Sequence, residues 1–241
     1  MKIIRTIVGE LDTNCYFIIN EENFALLIDP ADEGERLIEV IEEHSLKPVA
    51  IILTHGHYDH IGAANLLADA FEIDIYAHKD DIKMLADPKL NFSEYTGNPI
   101  SVTAEPLTQD MFVRARHFRN EQNFTAMLKV DELSKSNERF CEMPRPYFPL
   151  ELLHLPGHTP GGIGLVGDDF LISGDTVFAG GGIGRTDLPG GAPQKLAESI
   201  EKVLQLPDSL ILHAGHGGRS VLGREKPAWR QVAEMLRKGL I

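Results

Sequence analysis

Residues 48–60 read Pro48-Val49-Ala50-Ile51-Ile52-Leu53-Thr54-His55-Gly56-His57-Tyr58-Asp59-His60, an apolar run that empties into four metal-ligand side chains. Its short, β-branched first half predicts a buried strand. Downstream, Ile61, Ala64, Leu67 and Ala68 recur at helical spacing, so the histidines belong to a loop between strand and helix, where a rigid support holds a site. Neutral imidazole suits zinc and iron, and carboxylate is a harder ligand that neutralises positive charge, so the mixture favours a divalent transition metal. On an extended loop His55 and His57 project to one side, whereas Asp59 and His60 fall where the backbone turns. The spacing therefore gives two incomplete ligand sets sharing one loop.

Three candidates stand ready to complete them. His158 lies in Leu-Pro-Gly-His-Thr-Pro-Gly-Gly, Asp175 in Ile-Ser-Gly-Asp-Thr and His216 in Ala-Gly-His-Gly-Gly. Each follows an apolar run that reads as a short strand (residues 152–155, 170–172 and 210–212), and each is preceded by glycine, which lets a tight turn bring backbone close to an ion. His44, His78, His117, His154 and His213 lack this setting and read as surface or packing residues, with His154 and His213 also candidates to support the ligands from behind.

Taken together, the His-x-His-x-Asp-His loop, a later His, an Asp and a final His resemble the metallo-β-lactamase fold superfamily. The resemblance extends to Asn14-Cys15-Tyr16, Leu27-Ile28-Asp29-Pro30 and the segment from Gly184 to Gly191, and covers most of the chain except about 111–147. It implies that His55, His57 and His158 hold a first metal, Asp59, His60 and His216 a second, and that Asp175 bridges both, with two divalent ions, zinc, iron or manganese according to supply. Gly-Asp-Thr-Val-Phe and Gly-Arg-Thr-Asp are most similar to the glyoxalase II-like hydrolases. These motifs imply a dinuclear hydrolase that cleaves a thioester such as S-acylglutathione by a metal-bridging hydroxide, with Asp59 taking the released proton. Arg185 aligns with a basic, substrate-binding position of those enzymes, while Asp187 stands where they carry an aromatic residue. Two other reactions of the superfamily remain open: a mononuclear iron persulfide dioxygenase, and lactone or phosphodiester hydrolysis. A purely structural zinc site fits less well, because closed structural sites are Cys-rich and the chain has two cysteines, Cys15 and Cys141.

The chain has 241 residues, 43% of them hydrophobic, and a formal charge of −13. Its length supports one sizeable core, and no Pro/Ser-rich linker divides it, so a single domain over 1–241 is expected. The acidic balance argues against nucleic acid as a partner, because phosphate-backbone binding needs clustered Lys and Arg. No apolar run approaches the ~20 residues of a membrane helix. Met1-Lys2-Ile3-Ile4-Arg5 lacks the apolar core of a signal peptide, and two cysteines make no disulfide framework, so a cytoplasmic protein acting on a small, anionic thioester is expected.

The pattern of strands then helix appears twice: a helix from about Asp32 to His44 precedes the ligand strand, and helices over about 192–204 and 227–238 follow the later strands. Two sheets face to face with helices outside, a four-layer αββα sandwich of α/β (α+β) class, accommodate this order, with the site at the sheet edges. An insertion at about 111–147 carries Arg114, Arg116, Arg119, Lys129, Lys135, Arg139 and Arg145. It reads either as a clamp on an anionic substrate or as a solvated excursion.

Overall fold

A computed structural model describes residues 1–107, 112–114, 126–129 and 147–241, with backbone alone for 112–114, 126–129 and 147. The side chains of the basic insertion, His117 and Cys141 lie outside the described residues, and with them both readings of that segment.

The first sheet takes strands β1 (Lys2–Val8), β2 (Thr13–Ile19), β3 (Phe24–Ile28), β4 (Lys47–Ile52), β5 (Ile75–Ala77) and β6 (Glu105–Pro106) in sequence order. β1 to β3 pair antiparallel, and β3 to β6 are parallel. After a three-stranded antiparallel sheet of β7 (Phe112–Arg114), β8 (Ala126–Lys129) and β9 (Tyr147–Phe148), the second large sheet runs β10 (Glu151–His154), β11 (Ile163–Val166), β12 (Phe170–Gly174), β13 (Ile211–Ala214) and β14 (Ser220–Val221). Only β12 and β13 pair parallel there.

Alternation along the strands sorts side chains into three apolar layers. On β2, Cys15, Phe17 and Ile19 face an outer layer, while Tyr16 and Ile18 face the second sheet. On β3, Ala25 and Leu27 point outward, and Phe24, Leu26 and Ile28 inward. The inner layer is completed from across by Phe148, Leu150, Ile163, Leu165, Phe170 and Ile172. Helices α1 (Gly34–Glu43) and α2 (Ala64–Phe71) cover the first sheet, α1 through Leu37 and Ile41 with its glutamates turned to water. A short α3 (Ile82–Ala86) follows β5. Helices α4 (Pro193–Leu204) and α5 (Leu222–Arg237) cover the second sheet through Leu196, Ile200, Trp229 and Leu236. Three cores between four layers make the αββα sandwich. Because strands such as β2 and β3 are buried on both faces, they read as unbroken apolar runs rather than as alternation.

The terminal helix departs from its expected start at Pro227: it begins five residues earlier and carries that proline inside. Proline is welcome at a first helical position and costly inside, which made it read as a start. The earlier start is held by tertiary bonds, Leu222 N to Leu210 O (3.0 Å) and Gly223 N to Asp208 O (2.9 Å). Among the described residues no helix is long and apolar enough to cross a membrane.

Candidate metal centre

β4 ends at Ile52, and the chain then bends at Thr54 and His55 and is extended at His57 before a single 3-10 turn, Tyr58–His60, redirects it toward α2. This lays His55 and His57 side by side with ring centroids 4.9 Å apart, and turns Asp59 and His60 toward the second sheet. From that sheet His158 follows β10, Asp175 follows β12 and His216 follows β13. All seven residues anticipated from the sequence converge. His57 Nδ1 lies 2.9 Å from His158 Nε2, and His60 Nε2 lies 3.3 Å from His216 Nε2. Asp175 Oδ2 stands 3.7 Å from His158 Nε2 and 3.4 Å from His216 Nε2, so one carboxylate reaches both groups. Asp59 Oδ2 is 3.3 Å from His216 Nε2. Donor atoms of His55, His57 and His158, and of Asp59, His60 and His216, cluster tightly enough to share an ion.

The glycines preceding the second-sheet ligands make this approach possible. A Cβ on Gly215 would sit 2.0 Å from Asp175 Oδ1 and 2.7 Å from His60 Cε1. Gly174 has φ +49°, and a Cβ there would meet Thr54 Oγ1 at 2.7 Å. Asn14-Cys15-Tyr16 also finds its role: Asn14 Nδ2 donates to Ala214 O and Gly217 O, both at 2.9 Å, and Tyr16 Oη donates to Ala214 O at 2.6 Å, pinning the His216 loop to β2.

Around the cluster, four of the five imidazoles, all but His57, have one nitrogen tied down from outside it. His158 Nδ1 contacts Arg185 O at 2.7 Å and His216 Nδ1 contacts Leu11 O at 3.0 Å. A carbonyl only accepts, so both Nδ1 atoms donate and each Nε2 is left facing the cluster. His60 Nδ1 lies 2.9 Å from Asp29 Oδ2. Asp29, 1% exposed, also accepts from Thr54 N (2.7 Å) and Thr54 Oγ1 (2.5 Å), and that hydroxyl faces His55 Nδ1 at 3.1 Å. Such partners fix tautomer and ring orientation at metal sites. Asp81, fully buried, joins the two loops: it accepts from Gly56 N (3.0 Å), Thr159 Oγ1 (2.7 Å) and Gly161 N (2.6 Å). The sequence reading gave Asp29 no role and passed over Asp81, which sits in a Lys79-Asp80-Asp81 run that looks solvated.

The electrostatics call for a cation. Burial drives His55 well below its ordinary value, helped by His60, and burial with His158 takes His57 to about 3. Burial would depress His60 as well, but Asp175, Asp59 and Asp29 outweigh it and hold it well above. At His216 burial is outweighed by the hydrogen bonds its ring donates to Asp175 and Asp59, which push it up to about 10. Asp175, although desolvation would raise it, is drawn well below the carboxylate range by His60 and His216. One end thus presents neutral nitrogen lone pairs, and the other presents carboxylates that require positive charge nearby. Meanwhile Nε2 of His55 and of His57 and Oδ1 of Asp175 are buried with no hydrogen-bond partner among the described residues, each an expected cost of about 1–3 kcal/mol if left so. The donor set and its unpaired atoms fit divalent ions.

A further group, His78, Asp80 and His154, also brings ligand atoms together, but its two imidazoles stack with centroids 4.0 Å apart and planes 13° from parallel. Nitrogen lone pairs lie in the ring plane, so near-parallel rings do not aim at one ion. His78 and His154 pack against each other, His213 packs edge-on to Tyr16 and Phe170, and His44 is exposed.

Arg185 lines the cavity over the cluster, yet its side chain is 60% exposed and its guanidinium is forked onto Asp187, Nε to Oδ1 at 2.7 Å and Nη2 to Oδ2 at 2.6 Å.

The sequence matches the Metallo-beta-lactamase superfamily over residues 8–216. The chain belongs to that superfamily. It is 38% identical over 222 residues to the hydroxyacylglutathione hydrolase GloC of Haemophilus influenzae, covering 91% of this chain and 92% of GloC. Among solved structures, the BLEG-1 B3 metallo-beta-lactamase matches with a TM-score of 0.74 and 33% identity over 94% of this chain and 97% of that one. TTHA1623, solved in a di-iron-bound form, matches with a TM-score of 0.70 and 29% identity over 93% and 98%.

Proposed function

We propose that this metallo-hydrolase of the metallo-beta-lactamase superfamily is a thioester hydrolase, with S-acylglutathione-type esters its first candidates. His55, His57 and His158 would hold one divalent ion, Asp59, His60 and His216 the other, and Asp175 both, with zinc the first metal to test. The observation that carries the reading is the position of Asp175, whose one carboxylate reaches His158 on one side and His216 on the other. GloC's hydroxyacylglutathione hydrolase name and TTHA1623's di-iron form support it.

Bound there, such ions lower the pKa of water from 15.7 toward about 7 and polarise a carbonyl. The chain's own residues supply the rest. Asp59, anionic and facing the cavity, is placed to accept the proton that water releases. No serine or cysteine lines the cavity among the described residues, and the Cys15 thiol is fully buried with its pKa pushed up by that burial. The reading therefore takes water, rather than a serine or cysteine, as the nucleophile. A thiol of pKa about 8.5 leaves as the anion without a strong acid, whereas an amine needs one. At the rim Arg185 would meet a substrate carboxylate, in competition with Asp187.

The test is turnover of S-lactoylglutathione beside other thioesters, lactones and a β-lactam, using protein of measured metal content. Two metals per chain with thioester cleavage are expected. One iron per chain with oxygen uptake would favour the dioxygenase, and metal-loaded protein that cleaves no thioester would overturn the proposal.

A further inference from the structure

The cavity above the cluster has a volume of about 580 Å³, room for a whole small-molecule ligand. Away from the ligands its walls are mainly apolar: Leu11, Phe92, Tyr95, Phe178, Ile183 and Leu188. Tyr95 is 73% exposed and Leu11 51%, large apolar faces left open at the mouth of a reactive site rather than folded into a core. The Phe92 ring stands 6.0 Å from that of His57 and 5.8 Å from that of Tyr95, and the Phe178 ring 6.2 Å from that of His216. Apolar surface therefore reaches from the rim down to both ligand groups.

Phe92 holds its place at a backbone φ of +72°, a left-handed conformation that bulky side chains rarely adopt and that marks functional segments when the surroundings enforce it. The surroundings do enforce it. The preceding residue, Asn91, is buried; it donates from Nδ2 to Ile100 O (2.9 Å), accepts at Oδ1 from Ser93 N (2.9 Å), and its carbonyl accepts from Tyr58 N (2.9 Å) inside the ligand loop. The aromatic ledge is thus held in register with the metal-binding segment.

Charge points the same way. Among the described residues Arg185 is the one cationic side chain other than histidine on the cavity wall, and Asp187 already forks it. The adjoining cavity of about 300 Å³, which shares Leu11, Tyr58, Asp59 and Thr96, carries Glu10 and Asp32 and no cation among the described residues. Among the described residues an anionic arm thus meets a cation already paired, whereas an apolar arm meets open apolar walls.

We infer that the substrate is recognised through an apolar arm lying on the Phe92–Tyr95 ledge against Leu11, Phe178 and Leu188, so that the substrate class is a hydrophobic thioester. The inference rests on the thioester reading above. The arm belongs either to the acyl group or to the thiol, and the two have the same chemistry at the ledge.

Two series separate them: straight-chain acyl esters from acetyl to octanoyl on one uncharged thiol, and acetyl esters of alkanethiols of rising length. kcat/KM is expected to rise roughly two- to fourfold per methylene in one series until the cavity is full. Uncleavable alkyl thioethers of the same thiols, titrated by calorimetry, should gain affinity by the same factor. Tyr95→Ala should flatten both slopes, and Leu66→Ala, which removes an exposed apolar side chain remote from the cavity, should keep them. Cleavage of every thioester with no length dependence in either series would overturn the apolar arm and leave the hydrolase standing. Metal-loaded protein that cleaves none would overturn both.

Discussion

Replacing Asp81 by alanine asks what holds the two halves of the metal centre in register. Its carboxylate is fully buried and accepts from Gly56 N in the first ligand loop and from Thr159 Oγ1 and Gly161 N beside His158. Burial pushes its pKa up, and the three donors pull it back only in part. Alanine would leave three buried donors without an acceptor, each costing about 1–3 kcal/mol, and with water recovering some of this the expected loss is about 3–5 kcal/mol. For a chain of this size about 2–4 °C in Tm accompanies each kcal/mol, so the melt should fall by about 6–20 °C. Circular dichroism melts of metal-loaded and metal-stripped protein provide the assay, since the carboxylate ties loop to loop without an ion between. A fall smaller than about 2 °C in both states would refute the reasoning, as would a fall confined to the metal-loaded state.

Asp29→Asn should weaken metal binding by about 10–100-fold, read by chelator competition, because the amide no longer accepts from both Thr54 and His60; unchanged competition would remove Asp29's supporting role. Trp229→Ala, at a fully buried position between α5 and the second sheet, should cost about 3–5 kcal/mol in denaturant melts while metal stoichiometry stays the same. His213 is held at about 4, by burial first and then by Arg219 and Arg5, below its ordinary 6.5. The unfolded chain therefore takes up that proton first, so the stability His213 confers is complete above about pH 6.5 and is lost as pH falls toward about 4. Wild type should lose more Tm across this window than His213→Gln, and equal losses would refute the assignment. Asp187→Ala, which breaks an exposed pair, should leave the melt unchanged but lower KM for an anionic thioester if a freed Arg185 reaches it.

The layered fold was legible because its physics is local. Strands buried on both faces must be apolar throughout, and α1 needs Leu37 and Ile41 on one stripe, so the apolar run at 48–53 and a strands-then-helix pattern that appears twice announce a sandwich. The seven converging side chains were legible for a different reason: two incomplete sets on one loop demand partners, and three glycine-led segments supplied them. What stayed hidden depends on distant partners. Asp81 looks like a solvated charge until Gly56, Thr159 and Gly161 close around it, and Asp29 until Thr54 and His60 do. Phe92 and Tyr95 carry no periodic signal, because they line an opening rather than a core. Arg185 was visible as a basic position, but not that Asp187, two residues on, already occupies it. Pro227 misled because its own cost is local while the contacts that carry α5 past it come from Leu210 and Asp208.

His55, His57, Asp59 and His60 hang from one sheet, and His158, Asp175 and His216 from the other. An ion held in the way proposed above would draw donors from both halves, act as a rivet across the seam and resist any sliding of one sheet over its neighbour. Stripping metal would then loosen this protein along a single plane, leaving each half's hydrogen-bonded strands intact.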